Sequence, residues 1–188
     1  DNNALGENAL RENRSGSSNT AIGDNALESN RQSFNTAVGS LAMKGNGSGS
    51  NDDSNNSTAL GYKAGYDSND GDNNVFIGYQ AGDAVTSGDN NIIVGADAAA
   101  SAVTASNQIV IGYGAAGTAD NSVTIGNSSI TAWLSGSADN VDLGTASNQF
   151  DVVYTNKLGF ASTAMTLPTA DGTNGQVLKT DGSGTLSW

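Results

Sequence analysis

The acidic turn at residues 67–72 is the segment whose residue types come nearest to a metal site. Its sequence, Asp-Ser-Asn-Asp-Gly-Asp, offers oxygen ligands at the short spacings that calcium loops use. An EF-hand loop has glycine sixth and glutamate twelfth, whereas this segment has Gly71 fifth and Gly78 twelfth. We therefore interpret it as a solvated acidic turn. Asp52 and Asp53 are interpreted in the same way, as part of a solvated loop.

Few other residues suit enzymatic chemistry. The chain has no histidine and no cysteine, which excludes Ser-His-Asp triads, imidazole acid–base chemistry, thiol nucleophiles and disulfide bonds. A glycosidase needs two carboxylates in a formed groove, but the 19 acidic residues are scattered singly through turns. No glycine opens a Gly-Lys-Ser/Thr phosphate loop. We expect a protein that is not an enzyme and that uses no cofactor and no metal.

Three tyrosines directly follow the glycine that ends a recurring short unit: Tyr62, Tyr79 and Tyr113. As an exposed ladder they could stack on sugar rings, and packing between neighbouring repeats is the favoured alternative. The formal net charge of −12 leaves no basic patch for phosphates, so we expect no nucleic-acid partner. No run approaches 18 apolar residues, so we expect no membrane insertion.

The low apolar content restricts the choice of fold. Leu, Ile, Val and Phe together account for 34 of 188 residues, or 18%. That is below the roughly 20% at which highly charged chains are usually disordered. Either the chain is disordered, or its apolar residues are placed so regularly that stacking and oligomerisation bury them. The repeat pattern favours the second interpretation.

A short unit ending in glycine recurs through residues 1–130. NTAIG at 19–23 returns as NTAVG at 35–39 and as SVTIG at 122–126. Eight anchor glycines result: Gly6, Gly23, Gly39, Gly61, Gly78, Gly95, Gly112 and Gly126. The steps between them are 17, 16, 22, 17, 17, 17 and 14 residues. An aliphatic residue always precedes the glycine, among them Ile22, Ile77, Val94, Ile111 and Ile125.

These columns predict an all-β parallel solenoid, or β-roll, with one short strand in each repeat of about 17 residues. Alanine usually stands three positions after the glycine, and asparagine four or five positions before it. Apolar residues are consecutive in the strands, so both strand faces need cover. A single thin solenoid covers one face, and three copies around an axis would cover the other. We expect a homotrimer in which Ile77, Val94 and Ile111 are fully buried and stacked.

The NTAIG and SVTIG units resemble the head repeats of trimeric autotransporter adhesins, the YadA-like heads. Similar arrays occur in phage fibre proteins. The resemblance covers residues 1–130 and implies an intertwined trimer of left-handed parallel β-rolls. The step of mostly 17 residues is longer than in the adhesin heads, so larger turns are expected. The insertion at 45–56, rich in Gly, Ser and Asn, is expected to be a flexible loop.

Residues 131–188 form a second segment with a different pattern. The stretches 142–154 and 172–182 resemble units near the distal end of phage tail fibres. We expect short β-strands there, exchanged between chains, and expect the sequence to be a piece of a longer protein. Trp133 and Trp188 could contact a receptor or could plug the trimer where the solenoid ends.

The resemblance implies an extracellular, non-catalytic fibre of a viral tail that attaches to a host-surface glycan or protein. The alternative is a bacterial trimeric surface adhesin or structural filament with the same fold, and a spacer without a receptor site is a third possibility. Three segments are free to contact a partner: the loop 45–56, the turn 67–72 and the distal segment 133–188. We favour the distal segment as the receptor-binding part.

Overall fold

The structure, a computed structural model, describes residues 1–45, 54–130, 157–160, 163–166, 168, 172–183 and 185–188. Contacts divide the chain into two units, Asp1–Trp133 and Leu134–Trp188. All the regular elements in the described ranges are β-strands. Over the same ranges, no helix has the length and apolarity that a membrane crossing requires.

Eight strands of three residues form one parallel sheet in chain order. They are β1 Asn3–Leu5, β2 Thr20–Ile22, β3 Thr36–Val38, β4 Thr58–Leu60, β5 Val75–Ile77, β6 Ile92–Val94, β7 Ile109–Ile111 and β8 Val123–Ile125. Each strand ends at the residue before an anchor glycine. The predicted β-solenoid, with one strand in each repeat, is therefore confirmed.

Equivalent residues of successive repeats lie directly above one another. Ile77 pairs with Val94, and Val94 with Ile111. The middle residues Phe76 and Ile93 pair in the same register. The stacking inferred from the columns is thus correct, because a parallel register sets each repeat on the equivalent position of the next.

The side chains of each strand point alternately to the inside and the outside of the solenoid. The middle residue of each strand points inward, so Ile93 is fully buried. The residue before the anchor glycine points outward: Ile77 and Val94 are only half-buried, and Ile111 is 37% exposed. Because strand side chains alternate between the two faces, these three residues are not fully buried in the single chain, and their full burial in a trimer stays a prediction.

The inner wall facing the strands is built by the turn after each anchor glycine. The alanine three positions after the glycine is fully buried in six successive repeats: Ala26, Ala42, Ala64, Ala81, Ala98 and Ala115. The next residue also lines the core, as Leu27 and Met43 show. Both of these large residues take positive φ, 49° and 43°, a conformation that costs roughly 1–2 kcal/mol per residue for an L-amino acid.

The large side chains of the core come from the turns near one end of the solenoid and from the strands nearer the other end. In β2, β3 and β4 the inward residue is alanine, and Leu27 and Met43 fill the space from the opposite turn. In β5 it is Phe76, and the turn positions beside it are Gly65 and Gly82. A Cβ at Gly65 would lie 2.8 Å from Phe76 Cε2, and one at Gly82 would lie 2.5 Å from Cε1.

A buried amide ladder fills the third side of the interior. It consists of the residue four positions before each anchor glycine: Asn19, Asn35, Ser57, Asn74, Asn91 and Gln108. Asn91 Oδ1 accepts the Gln108 N–H at 3.0 Å, while its Nδ2 donates to the Ala105 carbonyl at 2.7 Å and to Asn74 Oδ1 at 3.0 Å. The asparagines of the ladder thereby pair backbone groups of the next repeat, which would otherwise be costly to desolvate, whereas the Gln108 amide bonds Ser101.

The column of asparagines anticipated from the sequence is in fact two columns. The residue five positions before the glycine lies at an exposed corner and takes positive φ, for example 60° at Asn90 and 58° at Asn121. Asparagine tolerates this left-handed conformation better than most residues. The buried ladder and the exposed corner therefore use the same residue type for different physical reasons.

The anchor glycines allow the chain to leave each strand at close range to the next repeat. The first seven take φ between 129° and 139°. A Cβ at Gly95 would lie 2.6 Å from the carbonyl carbon of Gly112, so only glycine fits both the dihedral angle and the space.

The second unit contains two antiparallel strand pairs. β9 (Lys157–Phe160) pairs with β10 (Thr163–Thr166), and β11 (Lys179–Thr180) pairs with β12 (Leu186–Ser187). Short strands are thus confirmed for the part of this segment that the structure describes. Trp188 is 42% exposed and lies near Gly172, where a Cβ would come within 2.9 Å of Trp188 Cε3. Trp133, most of the loop 45–56 and the stretch 142–154 lie outside the described residues.

Candidate functional site

The outer sheet face runs along all eight strands of the solenoid. It is formed by the first and third residues of β1–β8, since the middle residues point inward. None of its sixteen side chains is charged, although the chain has a net charge of −12. A face that lacks charge in so acidic a chain is suited to contact with another apolar surface.

The composition of this face changes along the solenoid. In β2, β3 and β4 the first residue is threonine, whereas from β5 onward it is aliphatic. The result is an aliphatic patch of eight β-branched residues: Val75, Ile77, Ile92, Val94, Ile109, Ile111, Val123 and Ile125. Val123 is 62% exposed and Ile125 46%. Of the other six, Ile92 and Ile111 are also exposed, and the remaining four are half-buried by the described part of the chain.

The tyrosine column, the residue after each anchor glycine, borders the outer sheet face. Tyr62 and Tyr79 stack on each other with ring centroids 5.5 Å apart and planes inclined by 20°. They nevertheless remain 42% and 50% exposed, and Tyr113 is 72% exposed. The tyrosines therefore combine both alternatives that the sequence leaves open: two pack between repeats, and all three present ring surface outside.

Glu28 is the centre of a buried charge cluster that the sequence analysis did not identify. Its side chain is 6% exposed and lies 2.5 Å from Arg11 Nη2 and 3.7 Å from Lys44 Nζ. Asn25 Nδ2 donates to the same carboxylate at 3.1 Å. A buried carboxylate held by two cations and an amide is satisfied structurally. The three charged residues occupy the same column in successive repeats, five positions after the glycine, which is the signal that could have located them.

The turn at 67–72 is built into the solenoid more firmly than the sequence indicates. Asp70 is exposed, as expected of a solvated turn, but Ser68 and Asn69 are buried. Asp72 Oδ1 accepts the Asn55 N–H at 2.7 Å, which ties the turn to the preceding repeat. Within the described ranges, no three acidic, histidine or cysteine side chains cluster as metal ligands do.

Asp67 lies at the start of this turn, and its carboxyl group has a raised pKa. Partial burial raises the pKa of its carboxyl above the ordinary 3.8, the Asp83 carboxylate raises it further, and Lys63 and Lys44 partly offset both effects. A carboxyl whose pKa is higher in the folded state favours folding when it is protonated. That contribution is complete below the unfolded pKa and is lost as the pH rises through the folded pKa.

Asp67→Asn is therefore expected to stabilise the chain at neutral pH. Because the residue is partly solvated, the melting temperature should rise by only about 1–2 °C at pH 7. The gain should vanish near pH 3, where both states are largely protonated. Thermal melts followed by circular dichroism at the two pH values measure it. Asp70→Asn is the matched control, and an equal gain there would show that net charge rather than the site of Asp67 is responsible.

The candidate residues thus fall into separate groups. The anchor glycines lie together along one edge of the strands, and Ile22, Ile77, Val94, Ile111 and Ile125 lie together on the outer sheet face. The turn 67–72 and the tyrosine column belong to other parts of the repeat.

Comparison with known proteins adds no relationship to this picture. No model of a protein family matches the chain, and no curated protein matches it.

Proposed function

We propose that this chain forms part of a homotrimeric extracellular fibre of a viral tail and attaches it to a host-surface glycan or protein by binding alone. The observation that supports this most is the aliphatic patch on the outer sheet face. Three chains joined through this face would present three identical sets of turns. Weak contacts made by each set would add through avidity.

Identical copies are the partner that best suits the outer sheet face. The face repeats the same two outward positions in all eight strands, so a second chain offers a surface of matching period and length. The face has no charged side chain that would need a complementary partner. Symmetric association of identical patches is also the commonest way in which soluble proteins cover such surfaces.

The oligomeric state is the first expected result. Analytical ultracentrifugation or light scattering should give three times the chain mass of 18.8 kDa. The trimer should also resist heat, because unfolding one chain uncovers apolar surface on the other two. A stable, folded monomer at micromolar concentration would contradict the proposal.

Attachment is tested on whole cells with two shortened chains. Removal of residues 46–53 should leave adsorption of the labelled trimer to a panel of bacterial strains intact, because the solenoid columns are untouched. Truncation after Ser129 should abolish adsorption if the distal segment meets the host. If adsorption survives both changes and the trimer stays folded, the distal segment is only a spacer or cap.

A bacterial surface adhesin or structural filament is the second candidate, because the same exposed patch would trimerise a protein of either origin. Adsorption separates attachment from a purely structural role: a filament should leave cells unbound while still forming the trimer.

A further inference from the structure

Successive members of the tyrosine column lie one repeat apart and are linked through backbone hydrogen bonds. The residue after each member donates its N–H to the carbonyl of the member one repeat earlier. Gln80 N–H bonds the Tyr62 carbonyl at 2.9 Å, Asp97 N–H bonds the Tyr79 carbonyl at 2.8 Å, and Gly114 N–H bonds the Ala96 carbonyl at 2.9 Å. Tyr62, Tyr79, Ala96 and Tyr113 are therefore consecutive positions of one column.

One position of this column lacks a ring. Tyr62 and Tyr79, in adjacent repeats, fill their interval by stacking at 5.5 Å. Ala96 follows with only a methyl group, and Tyr113 comes one repeat later. Tyr79 and Tyr113 are thus two repeats apart, and both keep large exposed ring surfaces, 50% and 72%.

We propose that the ring gap, the space over Ala96 between Tyr79 and Tyr113, binds one pyranose ring of a neutral glycan. Adjacent strands of a sheet are about 4.8 Å apart, so two repeats separate the tyrosine positions by about 9.6 Å. A ring midway would lie about 4.8 Å from each position, within the roughly 4.5–7 Å over which rings stack on aromatic faces. The stack already formed by Tyr62 and Tyr79 shows that the column accepts rings at this interval.

The surroundings favour a sugar over another flat ligand. Asp97 directly follows Ala96 and is exposed, and Gln80 directly follows Tyr79. The Gln80 amide donates to Asp83 at 3.4 Å, which leaves its oxygen as an acceptor. Polar groups next to the gap suit the hydroxyl groups at the edge of a sugar, while the tyrosine faces suit its apolar C–H faces. A phenylalanine or tryptophan side chain of a protein partner could also fit between the tyrosines, but it has no hydroxyl groups around its ring to bind these polar groups. The net charge of −12 disfavours acidic sugars.

This inference rests on the proposed attachment function, because it names the class of ligand that each chain would bind. It places that surface in the solenoid rather than in the distal segment. Binding to isolated sugars can be measured without cells, so the ring gap and the attachment proposal are tested separately.

The test uses the full chain and an array of neutral glucose, mannose and galactose oligosaccharides, with sialyllactose and N-acetyltryptophanamide as comparisons. The wild-type chain should bind at least one neutral oligosaccharide and neither comparison. Ala96→Tyr should fill the gap and Tyr113→Ala should remove one wall, and each should weaken binding about tenfold or more. Phe34→Ala, which removes an exposed ring outside the tyrosine column, should bind as the wild type does.

Ala96→Tyr adds a residue that the column already carries in three other repeats, so it should keep the melting temperature and oligomeric state of the wild type. Unchanged sugar binding in Ala96→Tyr and Tyr113→Ala would overturn the proposal. So would preferential binding of the tryptophan derivative, or loss of the oligomer in Ala96→Tyr, which would place the gap inside an interface. If no neutral sugar binds, the ring gap is refuted, and whole-cell adsorption still decides whether the fibre attaches.

Discussion

Replacing Ile93 by aspartate is expected to abolish folding of the solenoid. Ile93 is fully buried in the middle of the eight-stranded sheet, close to Phe76 and Val110 in register. The change removes an apolar side chain and places a carboxyl where no polar partner is available, at a cost of at least about 4 kcal/mol. That is a large part of the roughly 5–15 kcal/mol by which native domains are usually stable. Far-ultraviolet circular dichroism and soluble yield measure the loss.

Val94→Asp is the matched control, because Val94 is the next residue and lies on the opposite face of the same strand. Its side chain is half-buried in the single chain, so a carboxylate there can reach water. We expect this variant to keep its β-structure as a single chain and to lose association through the outer sheet face. If Ile93→Asp melts like the parent, the inward assignment is wrong. If Val94→Asp still forms a trimer, the outer sheet face is not the interface.

Removing one rung of the buried amide ladder is expected to have the second-largest effect. Asn91→Ala leaves the Gln108 N–H and the Ala105 carbonyl without the partners that Asn91 supplies at 3.0 and 2.7 Å. Each buried group left unpaired costs about 1–3 kcal/mol, so we expect a loss of about 2–5 kcal/mol. Urea denaturation followed by circular dichroism gives the change in unfolding free energy.

Serine at the same position provides a graded comparison. In the equivalent rung, Ser57 Oγ already accepts the Asn74 N–H at 3.0 Å. Asn91→Ser should therefore recover the acceptor but not the donor, and its stability should fall between the parent and Asn91→Ala. Asn90→Gly is the control, because that corner is exposed and glycine tolerates its φ of 60°. A loss in Asn90→Gly as large as in Asn91→Ala would contradict the ladder.

The positions of the eight strands could be predicted because each ends before a glycine that the backbone requires. The direction of the side chains could not. Val75, Phe76 and Ile77 are all apolar, so the alternation that would reveal the inner face is missing. In the earlier repeats the larger residue is the outward one: Ala21 is fully buried, whereas Ile22 is 41% exposed. The larger side chain would be expected inside, so side-chain size indicated the wrong face as the inner one.

The turn residues that line the core were also missed, for a physical reason. Leu27 and Met43 occupy positive φ, which bulky side chains normally avoid, so nothing in their local sequence predicts a tight turn. A usable signal existed in the joint variation of two columns. The repeats with Ala21 and Ala37 in mid-strand carry Leu27 and Met43 in the turn, whereas glycines at the same turn position, Gly65 and Gly82, flank Phe76.

The exchange of large residues between the two walls limits how such an array can change its length. Removing residues 20–35 would join two repeats of the same kind, with Ala37 taking the place of Ala21 beside Leu10. Removing residues 58–74 would instead bring Met43 to the place of Gly65, where even a Cβ lies 2.8 Å from Phe76 Cε2. We therefore expect whole repeats to be gained or lost among neighbours of the same kind. Where repeats with alanine in mid-strand meet those with a large residue there, we expect such a change to be blocked. The solenoid is composed of two internally exchangeable blocks, and unequal recombination can lengthen or shorten each block only within itself.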